Sequence, residues 1–219
     1  MTNQFTKWVR DNWNDLRLLL YWPFYMLTFL AFELATNRTF HVMHCSLDDV
    51  IPFCEWFFIP YLAWFPYMIG MGIYSFFTDR EVYRRYMWYI IVSYSIGLLV
   101  FALYPTVQQL RPASFAENNA LTSFIRAFYA FDSNTNVCPS LHVVGSVAVM
   151  HAGLRCRKLQ HPLWKAFFLI MTGLISVSTV FMKQHSALDI PPSILVCVIA
   201  YLFAYRTKVP SAAFSPLQR

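Results

Sequence analysis

His185 and Asp189 stand four residues apart, so a helical segment would put them on one face. A carboxylate on one imidazole nitrogen fixes the tautomer and leaves the other nitrogen free to attack, which is the logic of catalytic triads. Pro139-Ser140-Leu141-His142 opens another apolar stretch. A helix N-terminus there offers free N–H groups and partial positive charge, a natural anion site. Ser140 can cap that helix and touch a phosphate oxygen, and His142 can donate a proton. Arg111, before Pro112, brings a planar fork of donors suited to a phosphate oxyanion. Each feature also has a plainer reading. Arg111 can anchor to lipid phosphate, Ser140 can be only a cap, and His142 can face headgroups. Asp189 can be an N-cap-like residue ahead of Pro191 and Pro192. Together the clusters supply positive clamps, an acid and a nucleophile. These are the parts of a phosphoryl-transfer site, where catalysis is mostly positioning plus charge stabilisation.

The elements that must hold these residues belong in lipid. The chain has 219 residues, 58% hydrophobic and 13% charged, whereas soluble domains carry roughly 25% charged residues. Stretches long enough to cross a bilayer fall near 16–36, 55–77, 86–104, 138–155, 163–182 and 188–205. The expected architecture is all-α, an integral membrane bundle of six transmembrane helices in a single membrane domain over residues 1–219. The fourth and sixth stretches are interrupted by His142, His151, Asp189, Pro191 and Pro192, so a buried core helix is the alternative there. With the N-terminus inside, four of the seventeen Lys and Arg residues lie outside: Arg38, Arg111, Arg126 and Lys183. The rest, Lys208 and Arg219 among them, lie inside. That bias places both termini in the cytoplasm and the motifs at the exterior or lumenal face. The net charge of +6 is then directed at anionic headgroups, and no nucleic-acid partner is expected. The first apolar stretch is too long for a cleavable signal.

Residues 1–15 place Phe5, Trp8, Val9 and Trp13 on one helical face, an interfacial helix on the inner leaflet. Two outer segments are longer, Asn37 to Cys54 and Pro105 to Cys138, and long ordered loops tend to carry function. Leu121, Phe124, Ile125 and Phe128 predict a short amphipathic helix on the outer face, starting near Asn118 or Asn119. It would act as a lid or a ramp for lipid access, or simply cap the bundle. Cys45 and Cys54 share the first outer loop; a disulfide is open to them, with free thiols the preferred reading. No residues have metal-ligand spacing, so no metal and no cofactor is expected.

The motifs resemble those of the type 2 phosphatidic acid phosphatase superfamily. Its pattern runs Lys, six residues, Arg-Pro; then Pro-Ser-Gly-His; then Ser-Arg, five residues, His, three residues, Asp. Residues of about 100–190 carry this pattern here. Arg111-Pro112 is kept, with Tyr104 at the Lys position. Pro139, Ser140 and His142 are kept, with Leu141 for Gly. Ser178, His185 and Asp189 are kept, with Thr179 for Arg. The resemblance implies a phosphohistidine on His185, oriented by Asp189, with His142 as general acid and Arg111 and Ser140 on phosphate oxygens. Ser178 and Tyr104 would give support. Lys183, two residues before His185, would restore one missing cation; snorkelling to the interface is the alternative. The Pro-Ser-Leu-His variant also looks like the inositol phosphorylceramide synthase branch.

The expected function is therefore a membrane lipid phosphatase acting on a phosphorylated lipid among membrane lipids. Transfer of the headgroup to an alcohol acceptor is the alternative reaction. A non-enzymatic lipid or phosphate transporter is the rival class, and it would favour polar residues at the bilayer midplane.

Overall fold

The computed structural model describes residues 2–35 and 37–207 of the chain, apart from the side chain of Thr2. Lys208 and Arg219 of the charge count lie outside the described residues. The fold is mostly helical. In chain order it has α1 (Thr2–Leu16), α2 (Tyr21–Leu34), the short α3 (Ser46–Val50), α4 (Phe58–Thr78), α5 (Arg80–Leu103), α6 (Ala120–Phe131), α7 (Leu141–Arg155), α8 (Pro162–Phe181) and α9 (Ile190–Tyr201). A two-residue strand β1 (His41–Val42) pairs parallel with β2 (Thr106–Val107).

The six apolar stretches fold largely as helix, but among the described residues four segments are long and apolar enough to cross a membrane: Glu55–Thr78, Arg80–Leu103, Pro162–Phe181 and Ala187–Arg206. The other two are shorter. α2 has 14 residues and α7 has 15, roughly 20 Å at 1.5 Å per residue against a hydrocarbon core of about 30 Å. α2 follows a turn of 3-10 helix, Arg17–Leu20, that joins it to α1, and α7 begins only after Pro139.

α5 is the central post. Tyr83, Tyr86, Met87, Tyr89, Ile90 and Phe101 on it are all but inaccessible, and it packs against α2, α4, α7 and α9. α7 is enclosed by α4, α5, α8 and α9. Its small residues Gly145, Ser146, Ala148, Ala152 and Gly153 are buried, which lets backbones approach closely where there is no water to drive helices together. Outward-facing residues such as Leu27, Ile69, Ile170 and Leu195 are exposed, as helix faces turned to lipid should be.

α6 starts at Asn119, whose side chain accepts the Thr122 N–H in a reciprocal capping box. Its apolar stripe divides. Ile125 is fully buried and packs with Phe58, Tyr61 and Met182, joined by Leu121 and Phe128, while Phe124 stays 69% exposed. α6 thus caps the ends of α4 and α8 with one face and leaves Phe124 outside. α1 is amphipathic as expected. Trp8 meets Phe76 edge-on at 6.2 Å, and Asp15 pairs with Arg80 at 3.2 Å and with Arg84 at 2.5 Å, so its polar side is tied to the start of α5.

Candidate active site

The end of α8 turns back sharply. Lys183 takes a positive φ of 52°, a conformation that costs a non-glycine residue strain. The turn closes when the N–H groups of Gln184 and His185 both donate to the Thr179 carbonyl, at 3.0 and 3.1 Å. The chain then enters the 3-10 turn Ala187–Asp189 and α9. This aims the His185 ring at Asp189, with Nδ1 3.0 Å from Oδ2. Asp189 is fully buried, its Oδ2 also accepts the Ser186 N–H at 3.2 Å, and its Oδ1 has no hydrogen-bond partner. The charge is felt by Cys138, whose thiol burial and Asp189 push up to about 12.

His142 lies on the first turn of α7. Its ring stacks on Tyr61 of α4 at a centroid distance of 4.2 Å and meets Trp64 of the same helix at a tilt, at 4.4 Å. It meets the His185 ring edge-on at 6.0 Å, and its Nε2 is buried without a partner. Ser140 caps α7 by position, yet its Oγ bonds to nothing and is fully buried. Its N–H donates to Ser193 Oγ at 2.8 Å, and Ser193 donates to the Asp189 carbonyl at 2.7 Å. That relay locks the starts of α7 and α9 together. The site thus holds an unpaired hydroxyl at a helix N-terminus and two histidines edge to face, a combination that can receive an anion and move a proton.

Arg111 reaches the same cluster by another route. Its Nε and Nη2 donate to Gln184 Oε1 at 3.1 and 2.6 Å, and the remaining donors go to the carbonyls of Tyr129, Asp132 and Ser133 at 2.7–2.9 Å. The guanidinium is saturated by protein acceptors and sits over the Tyr129 ring at 4.5 Å. It terminates α6 and fixes Gln184, the neighbour of His185. Burial lowers its pKa from the ordinary value.

Three expected site residues stand elsewhere. Lys183 Nζ donates to the carbonyls of Asp48, at 2.7 Å, and Ile51, so it clamps the segment that carries α3 and its contacts do not support a phosphate role. Tyr104 stacks on His41 at 3.9 Å and is half exposed, held there by the β1–β2 pairing. Ser178 Oγ donates to Ile175 O within α8 at 2.6 Å. Cys45 and Cys54 are free thiols. Among the described residues no group of three or more His, Cys, Asp or Glu converges to hold a metal ion.

Two acids belong to the site although sequence spacing does not point to them. Asp132 follows α6, accepts from Gln184 Nε2 at 3.2 Å and lies 3.9 Å from Arg111. Burial raises its carboxyl, while Arg111 and His185 pull the other way. Asp48 accepts from the Ala187 N–H at 2.8 Å, the Cys45 N–H at 2.9 Å and the Ser186 hydroxyl. Burial works against its ionisation, but these hydrogen bonds hold the carboxyl below its ordinary value of 3.8. Glu33 accepts from Thr135 and Asn136 at 3.0 and 2.7 Å, tying α2 to the strand leading into Ser140. The signal that could have flagged Asp132 and Asp48 was their place in the two long segments between apolar stretches.

A family model described as PAP2 superfamily matches residues 28–203, most of the chain and all of the motif residues. No curated protein and no solved structure matches.

Proposed function

The chain belongs to the PAP2 superfamily, and from that premise we propose that it is a membrane lipid phosphatase working through a phosphohistidine on His185. With Nδ1–H given to Asp189, Nε2 carries the free lone pair. Nε2 attacks phosphorus, an N–P bond forms and the P–O bond to the lipid breaks. His142 gives its proton to the departing oxygen. It then takes a proton from water, which cleaves the N–P bond and releases phosphate, restoring both rings. Ser140 Oγ and the free N–H groups at the start of α7 receive the phosphate oxygens. Arg111 acts through Gln184, and its charge adds to the field at the phosphate.

The observation that carries the lipid assignment is a groove of about 640 Å³ between α1–α2 and α4–α5, lined almost wholly by apolar side chains. Trp64 belongs to its wall and also lies against the His142 ring at a centroid distance of 4.4 Å. A hydrocarbon chain in the groove would therefore lead to the proton donor. The topology fits if α2 and α7 complete a six-helix membrane bundle with both termini on the cytoplasmic side and the histidine pair at the opposite face. Leu141 within the Pro139–His142 motif favours one second reading, in which a lipid or polyol hydroxyl replaces water and the headgroup is transferred.

The test is purified protein with phosphatidic acid, monitoring phosphate release, and with a phosphodiester lipid plus a lipid alcohol, monitoring headgroup transfer. Phosphate release supports the reading, headgroup transfer moves it to the second, and neither from a folded wild type overturns both.

A further inference from the structure

The end of the bundle remote from His142 and His185 carries a cluster of charged residues that this chemistry does not use. His142 and Arg155 mark the two ends of α7, roughly 20 Å apart along the helix. At the Arg155 end a cavity of about 490 Å³ opens among Arg85, Arg155, Arg157, Arg206, Tyr201 and Tyr205. Two carboxylates also line it, and both are engaged. Asp79 caps α5 by accepting the Val82 N–H at 3.3 Å, and Glu81 accepts from Arg85 at 2.8 Å.

Two of the guanidiniums are held in place by the fold. Arg85 donates to the Ala204 carbonyl at 3.0 Å. Arg155 donates to Tyr201 Oη at 2.9 Å and lies 4.5 Å over the Tyr205 ring. Among the described residues Arg157 and Arg206 have no acceptor, and the Tyr205 hydroxyl is buried with none. Four cations against two occupied carboxylates, with a spare phenol donor beside them, form a preorganised cradle for a compact anion with several acceptor oxygens. Leu202 and Phe203, on the same turn as Arg206, are exposed apolar residues, so the cradle borders hydrocarbon.

We propose that this cavity binds a phosphate monoester group, carried by an anionic lipid headgroup in the leaflet at that end. It is separate from the active site and reads the same chemistry from the other face. The rival account is a diffuse basic surface that any anionic membrane attracts. The two differ in geometry, because a diffuse field responds to charge alone whereas a cradle also responds to the Tyr205 hydroxyl.

The experiment counts lipids retained by the full-length protein in neutral detergent, by native mass spectrometry, with phosphatidic acid and phosphatidylcholine as probes. Phosphatidic acid is expected to be retained preferentially. Arg206→Gln should weaken it about tenfold or more, and Tyr205→Phe roughly threefold at unchanged net charge. Arg10→Gln, which removes the same charge from α1, should leave it within about twofold. Retention in His142→Ala separates this site from the active one. Equal losses in Arg206→Gln and Arg10→Gln, or no loss in Tyr205→Phe, would overturn the cradle. Displacement of the lipid by an equal concentration of inorganic phosphate would overturn the lipid source and assign the cavity to a soluble phosphate ester. All of these proteins are compared in a His185→Ala background, where the proposed chemistry cannot consume phosphatidic acid, so the binding result and the fate of the phosphatase reading are independent.

Discussion

At the residue scale the account rests on two rings and the groups that orient them. The His185–Asp189 pair was legible in the sequence because its spacing is local, and Ser140 and His142 because a helix start is recognisable from its own residues. Asp189→Asn should leave the fold intact and lower kcat by about 10⁴-fold, as loss of the correct tautomer does in hydrolase triads. His142→Ala should lower kcat by about 10²- to 10⁴-fold; steady-state phosphate release checks both. What was not legible is where long side chains go. Arg111 and Lys183 were expected on phosphate oxygens, but their donors are taken by carbonyls far along the chain, which no spacing rule encodes. Lys183→Met is therefore expected to cost stability before activity, about 1.5–3 kcal/mol for a buried charged donor. Thermal unfolding alongside kcat decides this: a normal Tm with lost activity would return Lys183 to the phosphate.

At the element scale the two long segments between helices, residues 37–54 and 105–138, are the framework of the site. The helices followed from hydropathy, and α6 with its Asn119 cap followed from periodicity, since both signals are carried by neighbouring residues. The bridge from Asp48 to Ser186 and Ala187 could not be foreseen, because its partners lie 138 and 139 residues apart in the chain. Asp48 has a folded-state pKa below its unfolded value, so its stabilisation is present above the ordinary value of 3.8 and is lost as pH falls through the lower folded value. Asp48→Asn should lower Tm at neutral pH and flatten the acid side of the Tm–pH profile. An unchanged acid slope would remove Asp48 from the clamp. Packing gives a second test. A Cβ at Gly145 would meet Trp64 Nε1 and Tyr94 Oη at 2.8 Å each. Gly145→Ala should therefore cost about 1–3 kcal/mol by overpacking and also disturb the ring that supports His142, so Tm and kcat should fall together.

At the scale of the whole molecule, an enclosed short helix, α7, carries His142, the proposed proton donor, between longer membrane-length helices, and an apolar groove reaches Trp64 beside it. Gly72 lines that groove, and a Cβ there finds its nearest neighbour at 3.7 Å. Gly72→Leu should fold, raise KM for long-chain phosphatidic acid and leave turnover of a water-soluble phosphate ester unchanged; equal effects on both substrates would detach the groove from catalysis. The central claim, that phosphate passes through His185, is tested most directly by a rapid acid- and alkali-quench experiment with phosphatidic acid labelled in its phosphate. The prediction is an alkali-stable, acid-labile label on the peptide containing His185, absent in His185→Ala together with phosphate release. Phosphate release that persists in His185→Ala would contradict it.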